Sequence, residues 1–328
     1  MRVIHKNQEI LLPDQNLIKT IFYRGIGLCI DYGFIFLPIL VIISWYFIQY
    51  SPTLFYLFYI PALMLSIYWI YLVFLNFYIV KINSFEFKDK KIKSPIKFIF
   101  ISDLHIGRTS FSMNVIKLQK IINIINKQEK DFVLIGGDIL DNTYDEELLN
   151  ELAKIKGRKI TILGNHDVQY IQKSFQTKET PVRLISQLNQ IGFEVLANQG
   201  ISIQDDLFIG GIKDLYTLDF DIHKAFEGSD NKQFHLLLSH NPDIISFKEE
   251  LQEVDLILAG HNHAGQINIF GLHMPMPSLR QWLTRGIFKI SDKTTLLLSQ
   301  GVGSGHSRVR LGTDFEILVL NIKPTEKF

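Results

Sequence analysis

Phe98-Ile99-Phe100-Ile101-Ser102-Asp103-Leu104-His105 sets an unbroken apolar run directly before a carboxylate and an imidazole. Continuous apolar character over so few residues reads as a central strand buried on both faces, Phe98–Ser102. The pattern recurs along the chain. Phe132–Ile135 precedes Gly137-Asp138, and Lys159–Leu163 precedes Gly164-Asn165-His166-Asp167. Phe234–Leu238 precedes Ser239-His240, and Leu256–Ala259 precedes Gly260-His261-Asn262-His263. Each motif alone says little, since Gly-Asp after a strand is commonly a turn and a lone histidine commonly structural. Placed alike at five strand ends, they converge on the rim where open α/β sheets form their sites.

The segments between these strands carry helical spacing. Met113–Asn126 repeats apolar residues at Val115, Ile116, Leu118, Ile121, Ile122 and Ile125, and Asp145–Ile155, Pro181–Ile191 and Asp243–Glu250 also read as helices. Phe193–Leu196, Ile201–Ile203 and Leu207–Gly211 read as shorter strands, and Gln266–Phe270, Thr294–Ser299 and Glu316–Asn321 as closing ones. Strand–helix alternation of this kind predicts an α/β domain with parallel crossovers and helices covering the sheet.

The five signatures supply three carboxylates, two amides and five imidazoles. That set suits two divalent cations sharing one ligand, and hard oxygens with imidazoles favour Mn, Fe or Zn. Two such ions about 3.5–4 Å apart clamp the attacking and leaving oxygens of a phosphoryl displacement and lower the pKa of water they bind. A shared ligand needs two donor oxygens, and Asp138 is the natural candidate.

The set resembles the calcineurin-like metallophosphoesterases over about residues 97–322, through Asp-x-His, Gly-Asp-x-x-Asp, Gly-Asn-His-Asp, a lone His and Gly-His-x-His. The resemblance implies a β-sandwich flanked by helices, in four layers α/β/β/α. It implies one metal held by Asp103, His105, Asp138 and His263, and another by Asp138, Asn165, His240 and His261. His166 would then act on the transition state or leaving oxygen, oriented by Asp141, with Asp167 a weaker candidate for that role. Gly260-His261-Asn262-His263-Ala264-Gly265-Gln266, Gln300-Gly301-Val302-Gly303 and Arg310-Leu311-Gly312 resemble a bacterial membrane-associated phosphodiesterase-like subgroup. Ala264 replaces that subgroup's glycine, and its prolines near Glu316-Ile317 are missing. Some of its members with an N-terminal membrane segment resemble a pyrophosphatase acting on UDP-2,3-diacylglucosamine in lipid A synthesis. Met274–Ile287, with Trp282 among aliphatic residues and Arg280 and Arg285, is compatible with such a lipid. Arg308 and Arg310 could bind a substrate phosphate, which guanidinium fits bidentately.

Outside this domain, residues 32 to 80 contain no charged side chain. Roughly Asp31–Tyr50 and Leu54–Val80 each reach the ~20 residues of a membrane span, separated by Ser51-Pro52-Thr53. A signal peptide would have a shorter apolar core and a small-residue cleavage site. A soluble helical pair would have a charged face. The expected organisation is a short cytoplasmic segment over 1–27, which an interfacial helix would fit. A transmembrane helical hairpin over 28–80, a basic connector over 81–97 and the metallophosphoesterase domain over 98–328 follow. Arg2, Lys6, Lys19 and Arg24 precede the spans, Lys81, Lys88, Lys90, Lys91, Lys93 and Lys97 follow them, and the turn has none. The positive-inside rule then puts both ends, and the catalytic domain, on the cytoplasmic side of the inner or plasma membrane. The formal net charge is +1, and no basic stripe with interleaved aromatics argues for nucleic acid. Cys29 is the one cysteine, which excludes an internal disulfide and a thiolate zinc site.

The leading expectation is a membrane-anchored hydrolase of a phosphodiester or pyrophosphate bond in a lipid-linked substrate. A tethered phosphodiesterase of small soluble or nucleotide substrates is the alternative, and a non-catalytic metal-binding scaffold the alternative of another class.

Overall fold

The computed structural model describes residues 2–5, 8–11, 33, 36–47, 51–107, 113–141, 143–168, 180–274, 276, 278–305 and 307–325. Cys29, His306 and both flanks of the first apolar run lie outside the described residues. At the start of the chain β1 (Arg2–His5) and β2 (Gln8–Leu11) pair antiparallel, where a helix was expected. His5 pairs with Gln8, which leaves the two-residue spacing of a tight hairpin.

Two apolar helices follow, α1 (Phe36–Phe47) and α2 (Pro52–Ile70), in contact with each other. Pro52 opens α2, where its missing N–H costs nothing. α2 then continues through a widened turn, Tyr71–Leu75, and a tight one, Asn76–Tyr78. Of the two expected spans, one helix among the described residues, Tyr56–Tyr78, is long and apolar enough to cross a membrane. The described part of α1 is 12 residues, short of a span. Leu57, Met64, Leu65 and Ile67 are all more than half exposed, and at about 100° per residue they point to several sides of α2. Its foot is covered by the domain: Leu72 and Val73 pack on Val309, and Phe77 lies edge-on to Phe315 with ring centroids 5.6 Å apart.

The remaining chain builds two six-stranded sheets. The first runs β3 (Val80–Asp89), β16 (Phe315–Pro324), β4 (Ile96–Ile101), β5 (Phe132–Gly136), β6 (Arg158–Ile162) and β7 (Phe193–Val195). The second runs β14 (Gly286–Lys289), β15 (Thr295–Leu298), β11 (Leu256–Ala259), β10 (Phe234–Leu238), β9 (Leu207–Gly211) and β8 (Gln199–Gln204). β4, β5, β6 and β7 are mutually parallel, as are β9, β10, β11 and β15. The five signatures therefore leave their strands at matching ends.

Phe98, Phe100, Leu134 and Ile160 of the first sheet meet Ile209, Leu236, Leu258 and Leu297 of the second in one buried layer. The outer face of the first sheet is covered by α3 (Val115–Lys127), through Leu118, Ile121, Ile122 and Ile125, and by α5 (Thr180–Gln190), through Leu184 and Leu188; between them lies α4 (Glu146–Asn150). Ile212, from the loop after β9, and Leu215, Ile244 and Ile245, from shorter helical turns, cover the second sheet. This is the α/β/β/α order.

Three local expectations change. Residues 81–89 of the expected 81–97 connector belong, with Val80, to an edge strand that pairs in parallel with β16 along its whole length. Phe85 and Phe87 turn inward while Glu86 and Lys88 stay out. Asp243–Glu250 gives only a short 3₁₀ turn, Pro242–Ser246, and Asp145–Ile155 splits into α4 and a 3₁₀ turn, Glu151–Lys154.

Phe77→Ala should destabilise the protein by about 3–5 kcal/mol, the usual cost of a buried Phe truncation. Phe74→Ala, on the exposed side of the same turn, should cost much less. Denaturant unfolding of the detergent-solubilised protein measures both, and equal effects would show that the foot is not packed as described.

Candidate metal centre

The strand ends are tied to one another before any side chain acts. Asp103 N–H donates to the Gly137 carbonyl (3.0 Å), His105 N–H to that of Asp138 (3.0 Å), and Gly260 N–H to that of His240 (3.0 Å). These bonds extend the ladders into the loops. Asp103, His105, Asp138, His261 and His263 all have positive φ, between 47° and 75°. That conformation costs a non-glycine residue about 1–3 kcal/mol and persists only where the surroundings enforce it. Gly137, at φ 87°, lies where a Cβ would stand 2.7 Å from the Gly164 nitrogen and 2.9 Å from His240 Nδ1. Loops from both sheets close on each other there without room for a methyl group.

The donor atoms fall into three groups, each within 4.8 Å: Asp103, His105 and His263; His105, Asp138 and His166; and Asp138, His240 and His261. Asp138 belongs to two of them. His105 Nε2 is 3.0 Å from His263 Nε2 and 3.7 Å from Asp138 Oδ2, and His263 Nε2 is 3.5 Å from Asp103 Oδ1. On the other side His240 Nε2 faces Asp138 Oδ2 (3.2 Å), Asn165 Oδ1 (3.1 Å) and His261 Nδ1 (3.2 Å).

His240 tests whether cations fit. Its Nδ1 lies 2.8 Å from the Gly136 carbonyl oxygen, which only accepts, so Nδ1 carries a proton. In a neutral ring the Nε2 lone pair then points at a carboxylate oxygen, an amide oxygen and another imidazole nitrogen. Acceptors gathered this closely need a positive charge between them. Without an ion a second proton takes that place: burial opposes it, but Asp138, with Asp103 and Asp214, outweighs burial and holds the His240 pKa at about 10. The residues present fit divalent ions, and the backbone carbonyl on Nδ1 is the support usual for an imidazole ligand.

Burial raises the other carboxyls, Asp103 to about 6 against the pull of His240, and Asp167 to about 7 with Asp138 adding to it. Burial acts on Asp138 too, but His240, His166 and His105 outweigh it and keep that carboxyl well below the usual range.

The neighbours of the predicted ligands divide by role. Asp141 Oδ1 lies 3.6 Å from His166 Nδ1 and 3.9 Å from His105 Nδ1. Asp167 instead accepts the backbone N–H groups of Ile139, Leu140 and Gly164, so it braces the two loops and does not orient His166. Arg310 corrects the expectation of a substrate-phosphate ligand. It is 1% exposed, and its guanidinium donates to His263 Nδ1 (3.1 Å) and to the carbonyls of Gln300, Gly303 and Asp314. With an arginine donor on Nδ1, the ring's own proton sits on Nε2, and an ion binding there displaces it. Arg308 is half-buried, its guanidinium 5.0 Å from the Phe77 ring centroid.

Sequence reasoning missed Asp214 and Tyr216. Asp214 is buried and its pKa is pushed to about 6 by burial, against His240. The Tyr216 ring lies 6.0 Å from that of His261. Asp214 follows β9 as Asp138 follows β5, so the strand-end rule already used would have found it. His235, with both ring nitrogens on backbone carbonyls of Asp230 and Glu253, lies apart from the centre.

A family model described as calcineurin-like phosphoesterase matches residues 96–265. The chain belongs to that family. This metallophosphoesterase is 30% identical to an uncharacterized metallophosphoesterase of Helicobacter pylori over 71% of its own length and 61% of that protein's. It is 26% identical to a transmembrane protein with metallophosphoesterase domain of Danio rerio, over 70% of this chain and 53% of that one. It is 24% identical to the UDP-2,3-diacylglucosamine pyrophosphatase LpxG of Chlamydia muridarum, over 69% of this chain and 83% of that one. Alignments with the Helicobacter and Danio relatives thus span about three fifths and half of those proteins. The Asp and His groups described above are able to bind metal ions, in keeping with membership of that family.

Two outcomes follow from the electrostatics. His240, raised above its ordinary value, stabilises the ion-free fold below about pH 6.5, and that contribution is lost as pH rises towards its folded pKa of about 10. Asp167 and Asp103 are acids raised in the folded state, so the fold again holds more protons than the unfolded chain. All three slopes share one sign: EDTA-treated protein should lose stability from pH 6 to pH 8.5, and Mn²⁺ should restore most at the upper end. A flat thermal-melting profile without metal would contradict this charge assignment. Arg310→Met should lower metal affinity about 10–100-fold, as loss of a ligand's support does, read as metal content after dialysis.

Proposed function

We propose that this chain is a membrane-anchored phosphoesterase with two divalent metal ions that hydrolyses a phosphodiester or pyrophosphate bond of a lipid-linked substrate. One ion is assigned to Asp103, His105, Asp138 and His263, the other to Asp138, Asn165, His240 and His261. The bound ions would supply positive charge for the phosphoryl oxygens and hydroxide near neutral pH. His166, in reach of Asp141, protonates the leaving oxygen. Of the two arginines expected to meet a substrate phosphate, Arg308 keeps that assignment, Arg310 being bonded to His263.

One observation carries the lipid reading. Asn76, in the last turn of the apolar helix, donates to the Arg310 carbonyl (3.1 Å), and Arg310 reaches His263. The foot of the helix is therefore two hydrogen bonds from the donor cluster, which favours chemistry at the bilayer surface. The exposed apolar surface of α2 supports insertion, and the lysines after it support a cytoplasmic active site. UDP-2,3-diacylglucosamine combines a pyrophosphate, a nucleotide leaving group and two acyl chains, and is the substrate to test first.

The test is turnover by full-length protein in detergent with Mn²⁺, offered this lipid and bis-p-nitrophenyl phosphate in parallel. UMP release that is lost in Asp138→Asn is the expected result. His166→Ala should slow it about 10²–10⁴-fold with metal content unchanged. Cleavage of the small diester alone would replace the lipid reading by that of a tethered phosphodiesterase. No turnover of either by protein carrying two ions would remove the hydrolase assignment for these substrates.

A further inference from the structure

Five residues past His263 the chain forms a two-stranded hairpin, β12 (Asn268–Ile269) against β13 (Leu272–His273), turning at Phe270-Gly271. Both turn residues have positive φ, 53° and 86°. That is the tight hairpin geometry in which Asn-Gly or Gly-Gly is usual, because a bulky L-residue there is strained. Asn268 Oδ1 accepts the Gly271 N–H and holds the turn closed. The residue carried in the strained position is a phenylalanine, and it is fully exposed, with Leu272 82% and Ile269 44% exposed beside it. Phe270 contributes nothing to the core in return for this strain.

The apolar surface extends beyond the tip. Leu279, Trp282 and Ile287 are each more than two fifths exposed, while Met276 and Leu283 from the same stretch are buried. The loop carrying Leu279 and Trp282 is fixed, not loose: Asp243 accepts from Ser278 Oγ and Leu279 N–H, and Asn262 Nδ2 donates to the Leu283 carbonyl.

The base of the hairpin says what lies next to it. Asn268 N–H donates to the Leu311 carbonyl (2.7 Å) and Leu311 N–H to that of Gln266 (3.2 Å). Leu311 and Val309 are the residues on which Leu72, Val73 and Trp69 of the apolar helix pack. One segment, 309–311, is thus covered by the helix foot and paired with the hairpin. Hairpin base and helix foot therefore meet the same three-residue segment.

We infer that the hairpin at 267–274 is a second bilayer contact, setting Ile269, Phe270 and Leu272 into the headgroup–acyl boundary beside the helix. This rests on the membrane-anchored reading given above. Trp282, at the edge of the patch, is the residue type that settles at that depth. With the hairpin seated, Gln266 and His263 lie just above the lipid headgroups, and a lipid-borne phosphate reaches the centre without leaving the bilayer.

The full-length protein in lipid nanodiscs tests this directly. In a Cys29→Ser background, single cysteines replace Phe270, Leu63 in α2 and Asp205 in the exposed β8–β9 turn, each carrying an environment-sensitive NBD label. At 270 the label should be quenched by lipids with shallow doxyl groups and shielded from aqueous iodide. At 63 it should be quenched by deep doxyl groups, and at 205 by iodide alone. Iodide access at 270 with lipid quenching at 63 would overturn the hairpin contact and leave the anchored reading intact. Iodide access at both would overturn the two together. Shielding at 270 that grows with protein concentration, without lipid quenching, would assign the patch to a second copy of the chain and overturn the bilayer contact. Phe270→Asp with Leu272→Asp should lower turnover of vesicle-presented substrate about tenfold, which corresponds to ~1.4 kcal/mol of lost binding. Turnover of bis-p-nitrophenyl phosphate should not change, and an equal loss on both substrates would mark a folding defect and count against the proposal.

Discussion

One buried carboxylate organises the rim of the two sheets. Asp138 accepts the His166 N–H through Oδ1 (2.9 Å) and turns Oδ2 towards His240 and His105. Its charge raises His240, and it contributes to the raised carboxyls of Asp103 and Asp167. A negative charge at this depth is tolerated only with compensating positive charge close by. The strained loops, the glycines that let them meet and the arginine behind His263 all serve to hold donors around that point.

The centre was legible because its chemistry is local in sequence. A strand ends, the next residues are donors, and parallel crossovers bring those ends together. The inter-sheet layer was legible for the same reason, since Phe98–Ile101 and Leu256–Ala259 are apolar without alternation. What could not be read depends on partners far along the chain. β3 looks basic because Lys81 and Lys88 are both exposed, and only its pairing with β16 shows Phe85 and Phe87 at work. Arg310 has the look of a surface strand-edge arginine until Asn76, Gln300 and His263 are placed around it.

The foot of the helix shows how closely the apolar helix and the centre are joined. Lys117 Nζ lies 3.8 Å from the Phe77 ring centroid and 3.2 Å from that of Phe315, fully buried. Burial, with Arg310 and Arg308 adding, depresses its pKa well below the ordinary lysine value. Three basic side chains and two rings therefore fill the space between α3, the helix foot and the loop that carries Arg310. Ring faces offset part of the charge there.

The place of β16 sets an order of events in biosynthesis. This last strand lies between β3 and β4, pairing in parallel with one and antiparallel with the other. Until residues 315–324 leave the ribosome, the strand just after the apolar helix has no neighbour in its sheet. A nascent chain can thus deliver its hydrophobic N-terminal part to a bilayer while the catalytic sheet is still open, since contacts of such long sequence separation form late. A product that stops before residue 315 leaves the facing edges of β3 and β4 unpaired, the kind of exposed edge that invites aggregation.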